Sequence, residues 1–231
     1  KLRHAACDAV NQILKSTKCS LIDLDSICES LIDALTFAFQ EQIEPDLAAA
    51  NAIATFLGTI GSRGQRVHAQ VVSVVLWRLS NKSPVARQLA AELAGLISEA
   101  LVSNEGEGLV SKMGTILFEN LGEEYPDVLA AVINGLLRIS SSLGLSKMSP
   151  SPRELLPRLT PILRNRNERV QESCVDLIGL IAERCPDVVN AKEWMRICFE
   201  LLDLLKAPRK SVRRAAVLTF GTIAKAIGPS A

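Results

Sequence analysis

Residues 190–228 read NAKEWMRICFELLDLLKAPRKSVRRAAVLTFGTIAKAIG, and this stretch decides the fold. Its first half places Ile197, Leu201 and Leu204 on one face of a helix, because positions i, i+4 and i+7 share a side of a 3.6-residue turn. Pro208 then interrupts the pattern, since proline ends one helix and can open the next. The stretch therefore predicts two helices, A and B, joined by a short turn.

The same pattern recurs along the chain in two registers. In the first, helix A ends on a large apolar residue that runs into a polar turn, at almost even spacing: Phe39, Leu79, Leu121, Leu163 and Leu205. In the second, a glycine lies inside the apolar part of helix B, at a similar spacing: Gly58, Gly95, Gly135, Gly179 and Gly221. The two registers are independent of each other and indicate the same repeat period.

That period is about 42 residues with two helices per unit, which is typical of HEAT and armadillo repeats. We therefore expect an all-α HEAT-repeat solenoid, a right-handed superhelix of about eleven helices and five and a half repeats, that occupies residues 1–231 as a single unit. Because each repeat buries its faces only against its neighbours, both ends should present apolar surface and continue into further repeats. One B helix at 2–15 precedes five A/B pairs, at 21–61, 65–103, 106–144, 152–185 and 190–228.

The recurring glycine is expected to mark close contacts between helices. A glycine inside a helix lowers stability by about 0.5–1 kcal/mol relative to alanine. Its recurrence therefore predicts the close approach of a neighbouring helix, with tight contacts at Gly95, Gly135 and Gly179. Two prolines, Pro157 and Pro161, lie inside one A helix and are expected to bend it.

Composition and charge exclude several classes of protein. The chain is 48% hydrophobic, which excludes a disordered chain, and a net charge of +1 does not suit a polyanion binder as a whole. The sequence contains no run of about 18 apolar residues, so it predicts no membrane span. Each cysteine lies in or beside an apolar helical stretch, so we expect buried, reduced thiols in a reducing, intracellular compartment: Cys7, Cys19, Cys28, Cys174, Cys185 and Cys198.

No motif in the sequence carries catalytic, metal or cofactor chemistry. Gly58, Gly61 and Gly64 are interpreted as a helix end with its turn, because no strand precedes them and no lysine follows at phosphate-loop spacing. Residues 149–152 read SPSP, and we favour an N-cap serine before a first-turn proline over a phosphorylation site. His68 is expected to be exposed or hydrogen-bonded. We therefore expect no enzyme, no metal and no cofactor.

Basic residues are concentrated in the last two turns between helix A and helix B. Residues 146–231 carry 15 basic and 9 acidic side chains, a net charge of +6. Stretches 164–170 and 206–214 together carry eight basic residues against Glu168 alone, and packed helices lie about 8–10 Å apart, so one patch is expected. The candidates are Arg164, Arg166, Arg169, Lys206, Arg209, Lys210, Arg213 and Arg214.

Two interpretations of this patch remain open. It either contacts nucleic acid or another phosphate-bearing partner, or it forms a solvated face that complements helix C-termini. Aromatic side chains suited to base stacking are scarce in these turns, so contact with a nucleic-acid backbone is favoured over base recognition.

Several strings are more specific than a generic repeat, and they match one family. Through them the chain closely resembles the large HEAT-repeat subunit of splicing factor 3b, most strongly over residues 113–229. The strings are FAFQEQ at 37–42, LWRL at 76–79, NKS at 81–83, LGEEYP at 121–126, LLPRLTPIL at 155–163, EWMRICFELL at 193–202 and AKAIGP at 224–229.

The resemblance implies a non-catalytic nuclear scaffold of the spliceosome. It implies a piece of a long superhelix that clamps the duplex of intron branch-site RNA and small nuclear RNA, with the branch adenosine in a pocket. It also implies contact with other splicing factor 3b subunits, including a small zinc-containing subunit. In this sequence Arg164, Arg166, Arg169 and Val170 would lie by the hinge and pocket, with Lys206, Arg209 and Lys210 nearby. The alternative is a HEAT scaffold that binds only proteins, of the transport-receptor or phosphatase-scaffold type.

Overall fold

The computed structural model describes residues 2–16 and 23–228, in which eleven α-helices and no β-strand occur. The prediction of an all-α chain of about eleven helices is confirmed. Short 3₁₀ segments occur at Gly61–Gly64, Asn120–Gly122, Thr160–Arg164 and Pro186–Val188. The helices are α1 (Leu2–Lys15), α2 (Leu24–Gln40), α3 (Ala48–Ile60), α4 (Gln65–Leu79), α5 (Pro84–Val102), α6 (Glu107–Glu119), α7 (Pro126–Leu143), α8 (Pro152–Leu159), α9 (Glu168–Arg184), α10 (Ala191–Leu204) and α11 (Lys210–Ile227).

The helices alternate between two layers. The B layer consists of α1, α3, α5, α7, α9 and α11, which pack against one another in chain order, and the A helices α2, α4, α6, α8 and α10 cover it. Neighbouring B helices pack more closely than neighbouring A helices. The side of the B layer that faces away from the A helices is called the inner face, and the A layer forms the outer face. In the first predicted pair, residues 21 and 22 lie outside the described part of the chain, and its A helix begins at Leu24.

One apolar core runs between the two layers along the described chain. Leu93, Leu136 and Ile178 of the B layer and Met113 and Leu117 of the A layer are fully buried. Large apolar side chains remain exposed at both ends, as expected when a repeat has a neighbour on one side only. They are Leu2, Ile13 and Phe37 near the start and Met195, Phe199, Leu202, Val217 and Leu218 near the end.

The glycine prediction is confirmed at the three named positions. A Cβ on Gly95 would lie 3.2 Å from the Cα of Gly135, one on Gly135 would lie 2.9 Å from the Ala91 carbonyl oxygen, and one on Gly179 would lie 2.6 Å from Thr219 Oγ1. The general explanation is wrong for the glycines of the first and last pairs. Gly58 and Gly221 lie on exposed faces, where an added Cβ would meet no atom within 4 Å.

Local sequence signals account for the helix ends. Ser151 and Glu154 form the reciprocal hydrogen bonds of a capping box with Pro152 in the first turn, as expected of an N-cap serine. Gly61 takes a positive φ of 59° where α3 ends, which confirms its interpretation as a helix C-terminus. In the A helix that holds Pro157 and Pro161, the α-helical part ends at Leu159 and the 3₁₀ segment Thr160–Arg164 follows, while the bend itself stays a prediction.

His68 differs from its expected exposed or hydrogen-bonded state. Its side chain is buried on α4, and within the described residues its Nε2 atom has no hydrogen-bond partner. Burial lowers the pKa of His68, because the charged imidazolium is disfavoured away from water. The sequence around His68 did not indicate that its imidazole would be buried without a hydrogen-bond partner.

Candidate nucleic-acid interface

Five of the eight predicted basic residues are divided between two cavities. At the edge where helices A and B join, Arg164, Arg166 and Lys206 line a cavity of about 460 Å³. On the inner face of the B layer, Arg169 and Arg209 line a separate cavity of about 360 Å³. The single patch expected from the sequence is therefore an edge group and an inner group.

Carboxylates balance the edge group. Glu168, Glu200 and Asp203 line the same cavity as its three basic side chains. The Arg164 guanidinium binds Glu200 with two hydrogen bonds, one of them 2.7 Å from Nε to Oε2. This pairing lowers the pKa of Glu200 and raises the pKa of Arg164. The charge of Arg164 is thus matched from α10, whereas Arg166 and Lys206 are exposed and form no ion pair within the described residues.

The inner group is acidic overall. Arg169 lies 3.6 Å from Asp127 Oδ1, and Arg209 lies 3.9 Å from Glu172 Oε2. Glu92 and Asp176 also line this cavity, so four carboxylates surround two arginines. Burial raises the pKa of both Glu92 and Asp176, and the neighbouring Glu172 raises that of Asp176 further. An RNA phosphate would meet repulsion on this face.

Arg213 stabilises its own turn. Its Nη1 atom donates to the carbonyl oxygens of Ala207 and Pro208, both at 2.6 Å. Arg87 makes the same kind of contact in an earlier repeat, where its Nη1 donates to two carbonyls of the turn before α5. Arg213 therefore contributes chiefly to turn geometry, and this role repeats along the solenoid.

Val170 lies in the core and not on the cavity surface. Its side chain is fully buried, and its backbone N–H donates to Asn167 Oδ1, which caps α9. Lys210 and Arg214, by contrast, are exposed and take part in no ion pair in the described part of the chain. Four cations are therefore available to a partner: Arg166, Lys206, Lys210 and Arg214.

The carboxylates that the sequence analysis missed lie outside the two stretches in which charge was counted. Glu200 and Asp203 belong to the last turns of α10, and Asp127 begins α7. A count that included the last turn of helix A and the first turn of the preceding B helix would have found them. Each of these carboxylates lies about one repeat period along the chain from a predicted arginine, so the period could have indicated that they lie in neighbouring repeats.

The structure adds three observations on the other sequence expectations. Within residues 2–16 and 23–228, no group of three or more His, Cys, Asp or Glu residues is arranged to hold a metal ion. No helix of that part is long and apolar enough to cross a membrane. Cys19 lies outside the described residues, and the other cysteines are free thiols, buried except for the partly exposed Cys185.

Two curated relatives match almost the whole chain. The U2 snRNP component prp10 of Schizosaccharomyces pombe is 47% identical over 227 residues, and the U2 snRNP component HSH155 of Saccharomyces cerevisiae is 42% identical over 227 residues. Each alignment covers 98% of this chain. The chain is a homologue of the large HEAT-repeat subunit of splicing factor 3b. No protein-family model matches it.

The homology to splicing factor 3b concerns one segment of the larger subunit. The chain spans 19% of the length of prp10 and 23% of the length of HSH155. Both relatives are named as components of a ribonucleoprotein particle.

Solved structures confirm the solenoid fold. The crystal structure of Kap121p bound to Pho4p matches with a TM-score of 0.75 at 15% identity, over 97% of this chain and 24% of that chain. A designed armadillo repeat protein, YIII(Dq)4CqI, matches with a TM-score of 0.58 at 15% identity, over 96% of this chain and 93% of that chain. At such low identity these likenesses show the fold alone.

Proposed function

We propose that this chain is a non-catalytic scaffold segment that works in pre-mRNA splicing in the nucleus, and that it contacts RNA through the edge of its last two repeats. The observation that carries the proposal is that four of the eight predicted basic residues are exposed and have no carboxylate partner among the described residues, on a homologue of U2 snRNP components. They are Arg166, Lys206, Lys210 and Arg214. Their RNA partner would be the duplex of the branch site and small nuclear RNA.

The proposed contact is with phosphates and not with bases. Arg166 and Lys206 line one edge cavity, so a backbone that crosses this edge can meet both. The acidic inner cavity around Glu92 and Asp176 disfavours RNA, which keeps the backbone at the edge. Phosphate contacts position a nucleic acid without reading its sequence, so base identity would be read elsewhere.

The remaining predicted positions have supporting roles in this proposal. Arg164, held by Glu200, would fix the edge of the cavity beside Arg166. Arg169, paired with Asp127, and Arg209, paired with Glu172, would join successive B helices. Val170 would act by packing beneath the edge. Other splicing factor 3b subunits, including a small zinc-containing one, would complete the pocket for the branch adenosine.

A direct test is the affinity of the 231-residue chain for a branch-site duplex that carries a bulged adenosine. Replacement of Arg166 and Lys210 by glutamate should weaken binding at least tenfold, since two phosphate contacts become repulsive. Lys112→Glu, an exposed charge reversal on α6, is the matched control and should bind as the unmodified chain does. Equal affinity of all three chains would contradict the proposal.

One observation favours a scaffold that binds only proteins. The inner cavity presents Glu92, Asp127, Glu172 and Asp176 around two arginines, a surface better suited to a basic protein segment than to RNA. If the charge reversals at Arg166 and Lys210 leave RNA affinity unchanged, this second function is supported.

A further inference from the structure

A groove separates the A helices of the last two repeats on the outer face of the solenoid. It has a volume of about 440 Å³, within the usual range of ligand sites. It forms because Pro157 and Pro161 end α8 early, so the 3₁₀ segment Thr160–Arg164 takes over the contact with α10. The groove therefore follows from the sequence of the fourth repeat.

The floor of the groove is apolar. Leu156 and Ile197 are buried beneath it, and the rings of Pro157 and Pro161 and the side chain of Val189 complete it. A floor of this kind accepts one apolar side chain of a ligand.

The rim of the groove is basic. Arg153 and Arg196 are exposed on opposite sides, and neither forms an ion pair within the described residues. Arg164 also lies on the rim, but its charge is matched by Glu200. Glu193 is the remaining rim carboxylate, so two uncommitted guanidinium groups face one carboxylate. Guanidinium groups bind carboxylates with paired hydrogen bonds.

The prolines that line the groove also remove backbone hydrogen bonds from α8 and the segment that follows it. Arg153, Pro157 and Pro161 are spaced four residues apart, and all three line the groove. Because proline has no N–H, the carbonyl groups of Arg153 and Pro157 lack the α-helical donor that a residue four positions later normally supplies. A ligand with backbone N–H groups can supply such donors.

We propose that this groove binds an acidic peptide segment of a partner protein. One apolar side chain of the segment packs on Leu156 and Ile197, its carboxylates pair with Arg153 and Arg196, and its backbone donates to the carbonyl groups freed by the two prolines. RNA could pair with the two arginines through its phosphates. It could not supply backbone N–H donors or an apolar side chain for the floor. This site lies on the A layer, away from the inner cavity lined by B helices.

The test uses the 231-residue chain and a fluorescein-labelled peptide, EDELFEDE, with fluorescence anisotropy as the readout. The double variant Arg153→Glu/Arg196→Glu should bind the peptide at least tenfold more weakly, while Lys112→Glu, an exposed reversal away from the groove, should bind it unchanged. Pro157→Ala should weaken binding severalfold without loss of thermal stability, because it restores the donor for Arg153.

Three outcomes would overturn the proposal. They are no saturable binding of EDELFEDE, equal binding of the basic peptide KRKLFKRK, or equal affinity in the double arginine variant. Displacement of the peptide by single-stranded RNA at equal molar concentration would show a general anion site and would also overturn it. Both arginines are exposed, so circular dichroism of the variants should confirm an unchanged fold.

Discussion

Gly95 and Gly135 face each other across the contact between α5 and α7, where a Cβ on Gly95 would lie 3.2 Å from the Cα of Gly135. Backbone lies on both sides of this contact, since the Ala91 carbonyl oxygen also lies 2.9 Å from the position of a Cβ on Gly135. A backbone atom cannot rotate away as a side chain can. The two glycines therefore set the distance between the B helices of the second and third pairs.

Gly135→Ala should destabilise the chain although alanine is the better helix former. The added Cβ forces α5 and α7 apart, and overpacking of this kind costs about 1–3 kcal/mol. Gly221→Ala is the matched control, because its Cβ meets no atom within 4 Å. That variant should gain about 0.5–1 kcal/mol from helix propensity. Thermal unfolding of the two variants measures the difference, and equal shifts would contradict the close-contact explanation.

Gly179→Leu should destabilise the contact between α9 and α11. A Cβ at Gly179 would lie 2.6 Å from Thr219 Oγ1, and Thr219 is buried and donates to the Val175 carbonyl oxygen. The larger side chain should cost about 1–3 kcal/mol or more, measured by urea unfolding. An unchanged free energy of unfolding would show that the contact between α9 and α11 accommodates a larger side chain.

His68 should make the chain less stable as the pH falls below about 6.5. Burial lowers its pKa in the folded chain, so between that lowered pKa and the ordinary value the unfolded chain binds more protons. The free energy of unfolding therefore rises with pH between these two pKa values. Above the ordinary pKa of histidine, His68 causes no further change in stability. His68→Leu should lose this dependence, so its stability relative to the unmodified chain should improve from pH 7 to pH 5.5. A constant difference across this range would contradict the assignment.

Arg213 should matter for stability more than for RNA binding. Arg213→Met removes the bonds to the Ala207 and Pro208 carbonyl oxygens and should cost about 1–3 kcal/mol in thermal unfolding. Arg214→Met is the matched control, since Arg214 is exposed, and should leave stability unchanged while it weakens RNA binding. If Arg213→Met weakened RNA binding and left stability unchanged, Arg213 would be an RNA contact and the structural role would be wrong.

The fold could be predicted from the sequence because its signals are local. The apolar spacing of Ile197, Leu201 and Leu204, the turn proline Pro208 and the regular repeat period all lie within one repeat or between equivalent positions. The pairing of charges could not be predicted, because it depends on side-chain positions between helices. Glu200 lies 36 residues from Arg164, and only the packing of the 3₁₀ segment on α10 brings them together.

Burial was the other property that the sequence did not specify. Val170 is apolar at the start of a helix and fits either a pocket wall or the core, and the structure places it in the core. Gly221 has the spacing of the contact glycines, but on the exposed face of α11 it has no contact to make. Repeat spacing identifies equivalent positions along the chain, but the neighbours of each helix face decide what a residue at such a position contacts.

The most direct test of the account is the salt dependence of RNA binding. If about three of the four proposed cations each contact a phosphate, log affinity for the branch-site duplex should fall against log salt with a slope of roughly −2 to −3. The variant Arg166→Glu/Lys210→Glu should bind with a slope near −1 and lose affinity for all RNA sequences alike. An unchanged slope and affinity in this variant would contradict the account, since the edge of the last two repeats would then be a solvated surface.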